Sequence, residues 1–226
     1  MSVPPARKPG AAAPARHASP GRPKDLAKGA AILEAAKRMF TVHGFDRTSM
    51  DQIATEAGVS KLTVYSHFGD KEALFAAAVK LHCETKLPDA LFEPSPDTPL
   101  RERLLAIAHA FFAMVSSPEA IAGHRIMCTP QITGSPLPAV FWQAGPERTQ
   151  AIFAALLQKR VDTGELEIDD VPLAASQFFA LLKGEAHARL VFGCGKGGRP
   201  VDEHLAAAVD MFLRAYASRG PGGARA

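Results

Sequence analysis

The sequence predicts an all-α protein, and three observations carry that expectation. Ala and Leu recur along the whole chain, β-branched residues are not enriched, and apolar residues return every three or four positions between Gly and Pro breaks. A chain of 226 residues that is 47% hydrophobic has ample material for a packed core.

Residues 1–24 stand apart. They combine Pro, Ala, Gly and Ser with Arg7, Lys8, Arg16, Arg22 and Lys24 and contain no acid, which predicts a basic arm that is disordered in isolation. Helix one follows from Asp25, with Leu26, Ala30, Ile32, Leu33, Ala36, Met39 and Phe40 at helical spacing and Gly44 placed to cap its end. Thr48 or Ser49 can cap a short second helix through Ile53 and Ala57; Gly58 breaks it, and Ser60 can cap a third of barely two turns. That third helix ends near Phe68 and Gly69. Asp70 then caps a fourth, which carries Leu74, Phe75, Ala78, Val79 and Leu81 to about Leu87, before Pro88.

A Pro-rich linker, residues 88–99, separates this group from the rest. Pro99 and Pro118 each follow Thr or Ser, the arrangement of an N-cap and a first helical residue, so helices are expected over 99–116 and 118–129. A longer helix over 137–163 carries Val140, Phe141, Ala144, Ile152, Phe153, Leu156 and Leu157, is kinked by Pro146 and stops at Gly164. Two final helices present broader apolar faces, one with Leu173, Phe178, Leu181, Leu182, Ala188 and Val191 before Gly193, the other with Leu205, Val209, Phe212, Leu213 and Tyr216. Faces this wide exceed what one small domain buries, which points to a second subunit.

Charge divides unevenly along the chain. Residues 1–87 hold 13 Lys and Arg against 8 Asp and Glu, whereas the remainder holds 13 against 15, so a polyanion-binding surface is expected in the N-terminal third. Cys83, Cys128 and Cys194 lie too far apart for a metal-binding pair and suit a reducing cytoplasm, and no apolar run reaches the roughly 18 residues of a membrane span. No metal, other cofactor or membrane partner is expected. Residues 193–198 spell G-x-G-x-x-G, but no strand precedes them and Arg199-Pro200 follows, so they read as a connector. HExxH, Walker and G-x-S-x-G motifs are missing, and an enzyme would need an acid–base or nucleophile cluster that the sequence does not offer; no catalytic residue is expected.

The segment with the sharpest pattern is residues 50–68, MDQIATEAGVSKLTVYSHF. Ala54 is small where two helices must cross closely, and Gly58 sits at a turn that calls for a positive φ. Ile53, Val59 and Val64 are apolar toward one small core, while Lys61, Thr63, Tyr65 and His67 are expected on the outward side of helix three. A short helix with such a face can enter a DNA major groove.

At these residues the chain resembles the tetracycline-repressor (TetR) family. Its signature is a Thr before helix two, then I-A-x-x-A-G-V-S-x-x-T-V-Y-x-x-F and an acidic-Lys start to helix four. Thr48, Ile53 with the seven residues after it, Thr63, Val64, Tyr65, Phe68, Asp70 and Lys71 answer to it without a gap. FWQAGPERTQAIFAALL, GELEIDD and QFFALLKG, further on, are similar to the ligand-binding domain of the AefR-like branch.

The resemblance implies nine helices. The expected organisation is a basic arm over 1–24, a helix-turn-helix domain over 25–70, a ligand-binding and dimerisation domain over 71–218, and a flexible tail over 219–226. It implies a homodimer through the last two helices, a palindromic double-stranded operator and a small-molecule effector, with repression the commoner mode of the family. By motif position Lys61, Thr63, Tyr65 and His67 fall on the recognition helix, and Thr48, Tyr65, His67 and Lys71 meet phosphate. Lys61 can donate to guanine O6 and N7 or to phosphate, and Thr63 can touch a thymine methyl. The arm either follows the minor groove or is simply solvated. The family's pocket lies among the middle helices, where Phe111, Phe112, Met114, Met127, Trp142 and Phe153 are the bulky candidates for a wall, and His109, His124 and Arg125 could orient a polar group.

Overall fold

A computed structural model describes residues 23–93, 98–195 and 197–218. The expected basic arm and C-terminal tail lie outside the described residues, apart from two residues that belong to the first helix. The described residues form eleven α-helical segments and no named strand.

The N-terminal unit is three helices plus the start of a fourth. Helix α1 spans Pro23–His43, α2 Met50–Glu56, α3 Lys61–Phe68 and α4 Lys71–Lys86. Short polar residues set each boundary. Ser49 accepts from Gln52 N–H while the Gln52 side chain accepts from Ser49 N–H, a reciprocal capping box. Ser60 accepts from Thr63 N–H and Asp70 from Ala73 N–H, which caps α3 and α4. Gly58, at φ 66°, makes the α2–α3 turn in a conformation that a β-carbon would oppose. Ile32, Ala35, Ala36, Ile53, Val64 and Leu74 close the core of this unit, with Phe40, Phe45 and Phe75 in mutual ring contact at 5.4–5.6 Å beside it.

The second unit begins with a 3₁₀ turn, Asp89–Phe92. Then come α5 (Leu100–Val115), α6 (Pro118–Met127), α7 (Pro130–Thr133), α8 (Leu137–Trp142), α9 (Arg148–Asp162), α10 (Val171–Phe192) and α11 (Val201–Tyr216). Its core is built from Leu104 and Ile107 of α5, Phe153 and Leu157 of α9, Phe178 of α10 and Phe212 of α11, all nearly inaccessible. No single helix among the described residues is long and apolar enough to cross a membrane.

Three departures from the expected elements have physical causes. The helix expected over 137–163 is divided, because a π-helical turn, Gln143–Glu147, stands where a kink was expected. Pro146 has no N–H to donate and its ring crowds the carbonyl four residues back, so the turn widens by one residue. The single turn α7 was not anticipated; with the divided helix it accounts for the excess over nine. Helix α10 is interrupted at Gly184 (φ 45°, ψ −155°), and the His204 ring lies so close that any side chain there would collide with it. His204 Nε2 is 3.1 Å from the Leu182 carbonyl oxygen, an acceptor beside the break.

Candidate DNA interface and effector cavity

Helix α3 packs its Val64 side into the core and turns another side to solvent. The residues that project are Lys61, Leu62, Tyr65 and Ser66, spaced as a helical face requires. The expected set of Lys61, Thr63, Tyr65 and His67 divides by exposure: Lys61 and Tyr65 project, whereas Thr63 and His67 are partly buried. Thr63 is half-buried, its hydroxyl 2.8 Å from Ser60 Oγ. His67 is only 18% exposed and its Nε2 is 3.0 Å from Asp25 Oδ1 of α1, so the ring clamps α3 to α1. Leu62, which the sequence pattern did not single out, is 78% exposed. It stands next to Lys61 on the solvent side of the helix.

Thr48, expected at phosphate, packs inside the N-terminal unit. It is 1% exposed, and its hydroxyl lies 2.8 Å and 3.2 Å from the carbonyl oxygens of Gly44 and Met39. A side chain bonded to the free carbonyls at the end of α1 positions the loop before α2. Lys61 is held in the free chain by Asp51 of α2, with Nζ 2.8 Å from Oδ1, and this hydrogen bond raises the lysine's pKa. Lys71 sits at the start of α4 with its ammonium 4.1 Å from the centre of the Phe45 ring, a cation–π contact.

A cavity of about 180 Å³ lies where the two units meet. Of the expected wall, Phe111, Met114, Met127 and Trp142 line it. Phe153 does not: its ring is fully buried and stacks at 4.6 Å on Phe178, so it belongs to the core. Phe112 is likewise buried in that core, His109 faces Asp202 on the surface, and Arg125 donates to the Leu190 and Val191 carbonyls at the end of α10. Only His124 of the expected polar set reaches the cavity. Phe40, Phe45 and Phe75 reach it from the N-terminal core, so whatever fills it touches the ring cluster that carries Lys71.

The polar lining is mixed: Lys37, His82, His124 and Lys183 with Glu119, Gln150, Thr41 and Thr149. Burial lowers the Lys183 ammonium pKa, and Lys183 has neither a carboxylate nor a hydrogen-bond partner among the described residues. His82, lowered by burial and by Lys37 and Lys86, keeps Nε2 buried and unpartnered. Cys83 is pushed up to about 11 by burial, which leaves a neutral, unreactive thiol.

His124 is pushed down to about 4 from the usual 6.5 by burial, then by His187 and Lys183. Between those values the folded chain binds fewer protons than the unfolded one, so stability is full above pH 6.5 and falls as the pH drops toward 4. With allowance for solvent screening, His124 accounts for about 1–2 kcal/mol of that loss. His124→Phe is expected to flatten the slope in thermal melts across this interval, and an unchanged slope contradicts the assignment.

Comparison with known proteins places both units in one family. Residues 32–78 match the family described as bacterial regulatory proteins of the tetR family. Residues 102–218, more than half of the chain, match the AefR-like transcriptional repressor C-terminal domain. The chain belongs to the TetR family.

Within the TetR family, a crystal structure of a TetR-type regulator from Mesorhizobium loti is 29% identical and covers 87% of this chain and 100% of its own, with a TM-score of 0.69. A flavonoid-responsive regulator, FrrA, is 33% identical over 85% of this chain and 98% of its own, with a TM-score of 0.67. The transcriptional activator FasR of Mycolicibacterium smegmatis is 34% identical over 93 residues, 41% of this chain; the chain spans 42% of that relative's length. TetR-family proteins are transcriptional regulators that bind DNA.

Proposed function

We propose that this TetR-family chain is a sequence-specific regulator that works in the cytoplasm as a homodimer, represses from a palindromic operator and is released by a small, largely apolar ligand. The observation that carries this reading is the outward face of α3, a cationic and an apolar side chain next to each other on a helix short enough for a major groove. Lys61 reads a base edge or a phosphate, Leu62 a thymine methyl, and Tyr65, Lys71 and the rim residue Thr63 hold the backbone. Dimerisation through α10 and α11 is supported by Leu173, Phe192, Val201 and Met211, large side chains left 38–79% exposed on or beside these two helices.

The junction cavity supports ligand control. A molecule seated against α4 and the Phe45 ring moves α4 relative to α1, and with it the distance between two recognition helices that must match half-sites about 34 Å apart. Complete release asks the ligand to prefer one state by roughly 5.5 kcal/mol. The sign of regulation follows the AefR-like repressor match, and the flavonoid-responsive relative favours a flat aromatic effector.

Competition between a bound duplex and random DNA at moderate salt tests the reading. Sequence-specific binding survives excess random competitor, whereas binding by charge alone is lost to it and falls steeply as salt rises.

A further inference from the structure

Beside the outward face of α3 stands a group that a DNA-binding surface does not keep without a reason, a carboxylate. Asp51, the second residue of α2, bridges to Lys61 at the start of α3, with Lys61 Nζ 2.8 Å from Oδ1 and 3.1 Å from Oδ2. The two side chains are 58% and 63% exposed, so a duplex that meets Lys61 meets Asp51 as well. A negative charge there opposes every approaching phosphate, and an ion pair so exposed adds little to stability. Nor does α2 need the acid as a cap, since Ser49 and Gln52 already satisfy each other's amides.

What the pair offers is a donor and an acceptor side by side. An ammonium has three donors and a carboxylate about four acceptor positions, so each keeps spare capacity after bonding the other. In the major groove a G·C pair presents the matching order: guanine N7 and O6 accept, and the cytosine N4 amine next to them donates. O6 and N4 are partners in base pairing and lie about 2.9 Å apart, close to the 2.8 Å between Nζ and Oδ1. Lys61 set on O6 and N7 therefore brings Asp51 to N4. A T·A pair also places an acceptor, thymine O4, next to a donor, adenine N6, but the groups flanking them do not match. The thymine methyl would face the ammonium, and adenine N7, an acceptor, would face the carboxylate. Phosphate, which only accepts, suits Lys61 and repels Asp51.

We propose that Asp51 is a specificity-determining residue, which together with Lys61 reads one G·C base pair in each operator half-site and disfavours non-specific phosphate contact by the lysine. This rests on the sequence-specific reading above. The test measures the affinity of full-length wild type, Asp51→Ala and Lys61→Ala for three kinds of duplex: the operator selected by the wild type, the same operator with each G·C position of both half-sites changed to A·T in turn, and a random duplex. At one position the wild type is expected to lose at least about tenfold and Asp51→Ala about threefold or less, and Lys61→Ala to lose its preference at that same position. Asp51→Ala is also expected to bind the random duplex several-fold more tightly than the wild type. A purely structural role for Asp51 would weaken binding to all duplexes alike. Thermal melts check that the variants fold, and Asp51→Ser replaces Asp51→Ala if the latter does not. Equal penalties at every position in wild type and Asp51→Ala, preferences lost at different positions in the two variants, or a half-site without a G·C pair overturns the assignment and leaves sequence-specific binding standing. Recovery of no preferred sequence by the wild type overturns that reading and this assignment with it.

Discussion

Replacing Lys61 and Leu62 together with alanine is expected to lower affinity for a selected operator by at least about 100-fold, with the thermal midpoint changed by no more than about 2 °C. Each base-edge contact is worth about 1–3 kcal/mol, and a two-fold dimer loses every contact twice. Both side chains project from α3 and neither supports the core, so their removal costs little folding energy. Salt dependence separates their roles. If Lys61 meets phosphate, the double variant binds with a shallower salt slope, whereas loss of base contacts lowers affinity and leaves the slope nearly unchanged. Retained affinity would mean that the outer face of α3 does not meet DNA.

The second large effect falls in the other unit. Phe153→Ala is expected to destabilise the fold by about 3–5 kcal/mol and to lower the thermal midpoint by roughly 10 °C, because the ring is fully buried against Phe178, Phe179, Phe92 and Phe212. Four rings cannot collapse into the space left by one without losing their own contacts. A residue that only lined the cavity would behave differently, reducing effector affinity while leaving the melt unchanged. The melting curve therefore decides between a core and a pocket role for Phe153.

Helix α3 and Phe153 mark where sequence reading reaches and where it stops. Helix boundaries were legible because they depend on local chemistry: Ser49, Ser60, Asp70 and Ser117 each accept the backbone hydrogen bond that their position implied. The same Thr-Pro signal stands at Thr129 and Pro130, where it marks the overlooked turn α7. Exposure on α3 was less legible: Leu62 projects although the pattern did not single it out, and His67 is partly covered by Asp25 of α1. Phe153 was misplaced for another reason. Aromatics at helical spacing look the same in sequence whether the space beside them is filled or empty.

The polar side of the cavity was the least legible part. Lys183 and His82 belong to different helices, and only packing brings them to one wall. His124 was found by residue type, but its contact with His187, 3.3 Å between ring nitrogens, joins two helices that no sequence spacing connects. Gly184, unremarkable within an apolar run, sits at the break in α10 with the His204 ring in the place a side chain would take. Such long-range fits leave no periodic trace.

The measurement that bears most directly on α3 as a DNA-reading helix is selection of bound duplexes from a random pool by the purified full chain. A palindrome whose half-sites are one helical turn or a small multiple of it apart, and whose recovery fails with the Lys61 and Leu62 double variant, is the predicted result. Recovery of no preferred sequence, or of the same sequence by wild type and double variant alike, would contradict it.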